Sequence, residues 1–330
     1  MPLRVNVAGT YRPVIGAWIH FQNSWRRLNS IYIRTGGLWR LAFKPEMDLG
    51  VSGETRYNVN LYEEYRKYTG DNSGSPVGFK FNINCNVGSN QVWTAPALDC
   101  STFPEGSNII IQVNGWIIGR AGDGQNIQAR GNYGSSGASF TGGSPGGDAI
   151  KLRGGCTYEI YNNYVIGGGG GGGMGSYNVI TGGCGYSYCT YHYGAAGNGG
   201  AGTPNGGAAG SCTGFYQYQV FNYNLQGSAG SLWGGNTGWY RTFYNSTSVF
   251  NKGGAGGSLG QAARGGCYEI GCNVGNYNGP CGNWVSTFLR NCTDSRFSGT
   301  NFAGGKAISS NGAYCRLYNY ANVYGVAEVV

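Results

Sequence analysis

Charge is scarce in this chain: only 11% of its 330 residues are Asp, Glu, Lys or Arg, and no acidic residue occurs between Glu159 and Glu269. That gap excludes from the centre of the chain the paired carboxylates that flank a scissile glycosidic bond. No run approaches the ~20 apolar residues needed to span a bilayer. The strongest runs, Ile109 to Val113 and Trp116 to Ile118, are strand-sized, so no membrane partner is expected. The opening Met-Pro-Leu-Arg lacks the apolar core and cleavage site of a secretory leader, which implies synthesis in a cytosol and release by lysis. No heptad pattern is sustained, which excludes a coiled-coil shaft. With 9 Pro and no Gly-X-Y period, the chain is not collagen.

What is present is glycine, at 65 residues, together with 26 Tyr, 13 Phe and 8 Trp. Glycine at that density ordinarily means disorder, but disordered chains are poor in aromatics. The combination calls for dense backbone hydrogen bonding with flat rings laid over surfaces that lack Cβ atoms. We expect an all-β chain in three parts. Residues 1–44 form a basic β-hairpin docking module, 45–105 a small β module, and 106–330 a glycine-rich region. The last is either solenoid-like or built of polyproline-II-like glycine strands packed side by side.

The first part carries Arg4, Arg12, Arg26, Arg27, Arg34, Arg40 and Lys44 before any acidic residue. Trp18-Ile-His20-Phe-Gln-Asn23-Ser24-Trp25-Arg26 is echoed 14 residues later by Tyr32-Ile-Arg34-Thr-Gly36-Gly37-Leu-Trp39-Arg40. Both read as hairpins turning at Asn23-Ser24 and Gly36-Gly37. Arg12, Trp18, Trp25, Arg26, Arg27, Arg34, Trp39 and Arg40 are candidates for docking to an acidic neighbour. A solvated edge and nucleic-acid binding rank below that reading. In the second part, Leu61 to Tyr68 is allowed one turn of helix, because half its residues are charged.

The third part repeats an apolar motif around Asn. Its members are Gln112-Val-Asn114 to Gly119, Ile160-Tyr-Asn162 to Gly167 and Val220-Phe-Asn222 to Gly227. Gly147-Asp-Ala-Ile150 to Gly154 likewise matches Gly305-Lys-Ala-Ile308 to Gly312, and Val165 is aligned with Val323. Asn between apolar residues suits stacked turns, since it tolerates left-handed geometry and bonds along a ladder.

Chemistry-bearing groups are few. Asp148 with Glu159, or Asp123 with Asp148, are weighed as acid pairs, and turn or cap roles are favoured, so no enzyme is expected. Cys184, Cys189 and His192, with Cys212, depart from standard zinc spacing, and neither a metal nor a cofactor is expected. The eleven cysteines are dense for a cytosolic product and odd in number. Cys184, Cys189, Cys267, Cys272, Cys281 and Cys292 are candidates for disulfides formed after release. Tyr186, Tyr188, Tyr191 and Tyr193, with Trp233, Trp239 and Tyr240, are candidates for receptor contact, because such rings offer wide amphipathic area at small entropic cost. The competing reading is that they cover glycine backbone.

These features resemble the glycine-rich tail proteins of tailed bacteriophages. The resemblance rests on the basic Trp-Arg hairpins, Phe103-Pro-Glu-Gly-Ser107 entering an Ile-rich strand, Asn114-Gly-Trp-Ile-Ile-Gly119, Asn162-Asn-Tyr-Val-Ile-Gly167, the glycine run 167–173 and the closing Gly305-Lys-Ala-Ile308 to Tyr324-Gly325. It implies a structural virion protein of the tail tip, baseplate or tail fibre. Such a protein would be a homo-oligomer, joined through its N-terminal module to other tail proteins, with host adhesion to a receptor or glycan. A capsid or tail decoration protein and a β-solenoid polysaccharide depolymerase are the alternatives.

Overall fold

Phe79, Phe81 and Ile83 alternate with Gly78, Lys80 and Asn82, and this period of two makes Gly78–Ile83 a strand with one fully buried row. A computed structural model describes residues 45–92, 94–128, 139–173, 196, 198–211, 229–235, 256–263 and 302–330 with their side chains, and elsewhere the backbones of the strands named below. Apart from one helix, the regular elements of the described chain are all strands, which meets the all-β expectation. Among the described residues no helix is long and apolar enough to cross a membrane.

Three parallel sheets receive the chain in turn. The first contains Glu46–Leu49, Gly78–Ile83, Asn108–Val113, Thr157–Asn162 and Tyr314–Asn319. The second contains Thr55–Tyr57, Asn86–Gly88, Trp116–Ile118, Val165–Gly167 and Asn322–Tyr324. The third contains Val59–Asn60, Leu98–Asp99, Ile150–Lys151 and Ile308–Ser309, and Ala327 bridges to Ile308 beyond them. Each pass through all three is one coil. Inward rows such as Phe79, Ile109, Tyr158 and Cys315 stack in register to form the core. Fully burying each Phe or Ile contributes ~1.5–3 kcal/mol. Strands from both sides of residue 105 share these sheets, so the second and third parts of the chain are joined by continuous pairing.

Coils are also held in register at their corners. Asn84 Nδ2 donates to Asp48 Oδ1 at 3.1 Å and Asn114 Nδ2 to Asn84 Oδ1 at 2.8 Å; the next rung is formed by Asn163. This ladder corrects the repeat read from sequence. Asn114 aligns with Asn163 rather than Asn162, Ile118 pairs with Gly167, and Ile166, not Val165, pairs with Val323. Ile150 does pair with Ile308. The third supposed member does not join these sheets, because Asn222–Leu225 pairs with Ser187–Ala195.

The single turn of helix allowed after residue 60 is in fact the nine-residue helix Leu61–Thr69. Asn60 caps it, accepting from the N–H groups of Tyr62 (3.0 Å) and Glu63 (3.1 Å). The charges that argued against helix are arranged to favour it: Glu63 and Glu64 lie in the first turn, Arg66 and Lys67 in the last, and they pair at i,i+3. Its Tyr65 ring meets Phe79 edge-on with centroids 5.1 Å apart, and Tyr62 meets Phe103 at 5.3 Å.

The glycine-rich segments leave the coils between the second and third sheets, at residues 119–149 and 168–307. Their hydrogen bonds repeat every three residues. Along 167–173, Gly169 and Gly172 donate to Gly147 (2.9 Å) and Ser144 (3.0 Å), and Gly170 and Gly173 to Ala201 (2.8 Å) and Asn198 (2.6 Å). The carbonyls of Gly167, Gly170 and Gly173 accept from Gly119, Gly122 and Gln125, and those of Gly168 and Gly171 from Gly260 and Gly257. A strand repeats every two residues; three is the repeat of the polyproline II helix, whose polar groups all point outward. Close approach makes glycine obligatory at the centre. A Cβ on Gly169 would lie 1.7 Å from Arg120 O, and one on Gly172 would lie 1.7 Å from Asp123 O. The segments dock on the outer face of the second sheet, where Leu259 and Ala201 bury Ile118 and Thr203 sits over Gly88.

Candidate functional site

Two places gather the residues singled out from sequence. The first is the N-terminal region, whose backbone forms three tandem hairpins: Arg4–Val7 with Thr10–Pro13, Ala17–Phe21 with Ser24–Leu28, and Ile31–Thr35 with Leu38–Phe43. The second turn is read from sequence as Asn23-Ser24, but Ser24 is already a strand residue paired with Phe21. Sequence reasoning also found two hairpins where there are three. The missed signal is a third echo at the same spacing: Tyr11-Arg12, Trp25-Arg26 and Trp39-Arg40 each lie 14 residues apart. Register makes them equivalent, since Arg12 faces Val5, Arg26 faces Ile19 and Arg40 faces Ile33. Trp18 faces Arg27, and Arg34 faces Trp39. All eight docking candidates therefore lie on hairpin strands.

The second place is one end of the glycine segments. Residues 119–125 run parallel to 167–173, while 144–147, 198–201 and 257–260 run antiparallel to them, as the order of the bonded partners shows. Cys212–Thr213 lies parallel to Gln125–Arg130, so 207–211 also runs in the outgoing direction. Outgoing and returning segments alternate. Excursions after residues 125, 173, 211, 235 and 263 accordingly emerge at the same end, and the turns at 202–206, 231–234 and 258–261 lie at the other, against the coils.

The excursions are tied together in small sheets. Gln125–Arg130 pairs with Gly137–Gly142 and with Cys212–Thr213. Ser176–Cys184 pairs with Ser187–Ala195, which pairs with Asn222–Leu225. Tyr240–Tyr244, Thr247–Lys252, Cys267–Cys272 and Leu289–Asn291 form one antiparallel sheet. Tyr188, Tyr191 and Tyr193 lie on one of these strands and Tyr240 begins another, while Tyr186 and Trp239 fall outside the described residues. Trp233 is not with them. It sits, 51% exposed, in the turn Ser231 to Gly234 at the opposite end, where Ser231 N–H donates to Gly234 O at 2.9 Å.

Of the disulfide candidates, Cys184 and Cys189 lie on paired strands and Cys267 and Cys272 at the two ends of one strand; their side chains are outside the described residues, as are Cys281 and Cys292 entirely. Five residues of extended chain separate Cys267 from Cys272 by about 16 Å, which forbids a bond between those two. Sequence reasoning missed the opposite role. Cys85, Cys100, Cys156 and Cys315 are free thiols buried in the coil core. Burial raises the Cys85 and Cys100 thiols and pushes Cys315 up to about 12.

The acids weighed as catalytic are engaged in structure. Asp123 bonds Arg120 at 2.8 Å and accepts from Ala208 N–H at 2.9 Å, Asp148 accepts from Lys306 N–H at 2.7 Å, and Glu159 accepts from the Tyr161 hydroxyl at 3.2 Å.

Tandem hairpins with an aromatic-Arg pair in one register stand at the start of the chain, and excursions tied in small sheets leave the glycine segments at one end. Residues 46–327 match the family model described as phage tail fibre adhesin Gp38, and the chain belongs to that family. It is a tail fibre component of a tailed phage, located in the virion tail and involved in host adhesion. Among solved structures it is similar to the gp37-gp38 adhesin tip complex of the bacteriophage S16 long tail fiber. The identity is 21% and the TM-score 0.47, over 86% of this chain and 83% of that one. No curated protein matches the chain.

Proposed function

We propose that the excursion end meets the host receptor and that residues 1–44 attach the chain to another protein of the tail fibre. The observation that carries this reading is the alternation of the glycine segments, which delivers every excursion to one end. That region of the sequence is rich in Tyr and poor in carboxylate, a composition suited to contact rather than to acid-base chemistry. We accordingly read the protein as acting by binding and not as an enzyme. The coils form a solenoid that holds the glycine segments at its side, and residues 1–44, the coils and the glycine region are its working parts. Three hairpins with the same aromatic-Arg pair in the same register suit a partner that offers three equivalent faces. On this reading one copy seats on such a partner through its three hairpins.

The test is competition for adsorption. Purified chain incubated with host cells should block phage attachment. Tyr188→Ser with Tyr191→Ser and Tyr193→Ser should abolish blocking. Arg12→Glu with Arg26→Glu and Arg40→Glu should leave blocking intact but prevent incorporation of the chain into fibres. Loss of blocking by the arginine variant alone would sink the assignment of the two ends.

A further inference from the structure

We infer that the outer face of the first sheet, at its last two strands, carries a second recognition site, and that its ligand is a pyranose ring of a cell-surface polysaccharide. Tyr161 and Tyr318 occupy paired register positions, and their rings stack with centroids 4.6 Å apart and an interplanar angle of 11°. Tyr314–Asn319 is the last strand of the sheet among the described residues; Val330 N–H donates to Cys315 O at 2.9 Å, and no described strand lies beyond Tyr318. Tyr320 follows at the corner and is 71% exposed, and Tyr164 on the neighbouring coil is 50% exposed. These rings make a platform on a rigid support and are not part of the hydrophobic core cluster.

Polar groups border the platform. Glu159 pairs in register with Arg316. The Glu159 carboxylate is oriented by the Tyr161 hydroxyl at 3.2 Å. The Arg316 guanidinium lies 5.3 Å from the Tyr314 ring centroid and donates through Nε to the Tyr314 hydroxyl at 2.9 Å. Asn163 ends the corner ladder: its Nδ2 is spent on Asn114, and no described residue donates to its Oδ1. A carboxylate, a guanidinium and an amide therefore border the half-buried Tyr161–Tyr318 stack, each with bonding capacity left over. A pyranose has an apolar C–H face and a rim of hydroxyls that are both donors and acceptors, and it matches this pattern on both counts. Fixed tyrosines lose little entropy on contact. A lone carboxylate without a second acid in the site favours binding over hydrolysis. The site lies on the coils, apart from the excursions, and does not depend on the assignment of the receptor end.

Saturation-transfer NMR on the full chain tests it, with methyl α-glucopyranoside and methyl β-galactopyranoside as probes. Transfer to the ring protons of at least one hexoside is expected. Tyr318→Ala with Tyr320→Ala should weaken the binding at least tenfold. Because that pair could disturb the last coil, Tyr320→Ser alone, at a solvent-facing position, should weaken it several-fold with an unchanged far-ultraviolet spectrum. Displacement of the hexoside by lipopolysaccharide of the adsorbed host would identify that polymer as the source; retention would point to another surface polysaccharide. No transfer to either hexoside, or equal affinity in wild type and Tyr320→Ser, overturns the proposal.

Discussion

Asn163 donates its Nδ2 to Asn114 Oδ1 at 2.9 Å across 49 residues of sequence, and this bond decides the register of the fourth coil on the third. Two consecutive asparagines, Asn162 and Asn163, offer Asn114 two alignments one position apart, and a slip would send every inward side chain outward. The ladder removes that ambiguity, because only one alignment lets each amide meet the next.

Replacing Asn114 by Ala should therefore cost about 0.5–1.5 kcal/mol, since it removes two solvent-exposed amide bonds whose partners water can reach. Urea titration of the full chain should show a lower midpoint. An unchanged midpoint would reduce the ladder to a decoration of the corner.

Gly169→Ala should be among the most damaging single changes. Its methyl would meet backbone, Arg120 O at 1.7 Å, and no side chain is there to move aside. A loss of at least ~3 kcal/mol is expected. Gly234→Ala is the control, because its nearest neighbour is Ser231 Oγ at 3.6 Å and its effect should stay within about 0.5 kcal/mol. Thermal unfolding of both variants reads the contrast.

The thiols of Cys85, Cys100, Cys156 and Cys315 should resist iodoacetamide at pH 8 in the native protein and react fully in denaturant. Cys100 and Cys315 have no exposed surface, burial holds their thiols in the protonated form, and Cys156 Sγ is occupied in donating to Pro104 O at 3.2 Å. Peptide mass mapping after alkylation distinguishes the cases. Rapid native labelling of Cys100 or Cys315 would contradict the packing described.

The C-terminal residues should loosen in acid. Glu328 accepts from Lys306 Nζ and from Ser310 N–H, and these bonds, that to Lys306 first, hold its carboxyl below the usual carboxylate range. A lowered folded value means that the stabilisation is present above the unfolded value and is lost as pH falls through the folded one. Lys306 is raised chiefly by the same bond, so its share is present below the unfolded lysine value and is lost as pH rises through the folded one. Glu328 N–H, which donates to Ile308 O at 3.1 Å, should lose its protection from hydrogen exchange, taken against the intrinsic rate at each pH, below the carboxylate range, and Glu328→Gln should abolish that acid limb.

Much of the coil stack was legible. Phe79, Phe81 and Ile83, and Ile109, Ile111 and Val113, announce strands by their period, and the match of Ile150 to Ile308 is real. The helix was hidden because a count of charges ignores their order along Leu61–Thr69. The glycine segments were open to two readings, since residues without side chains carry no period to read; only the partners of Gly169 and Gly172 reveal the repeat of three. Trp233 was grouped with the excursion tyrosines by nearness in sequence, whereas the reversal of direction at Ser231 to Gly234 sends it to the other end. Cys100 and Cys315 carry no role in the sequence reading, because Asp99 and Ser101, and Tyr314 and Arg316, flank them and hide their place in the core.

A flat sheet is stiff along its strands and across its hydrogen bonds but yields readily when bent out of plane. The three-residue repeat along 167–173 sends successive bonds outward at spaced angles to segments on all sides, to 147, 201, 119, 257 and 305. Such a bundle has no soft direction. Torque arriving from any side is taken up by the same class of backbone bond, which keeps the roots of the excursions at a constant angle to the coils.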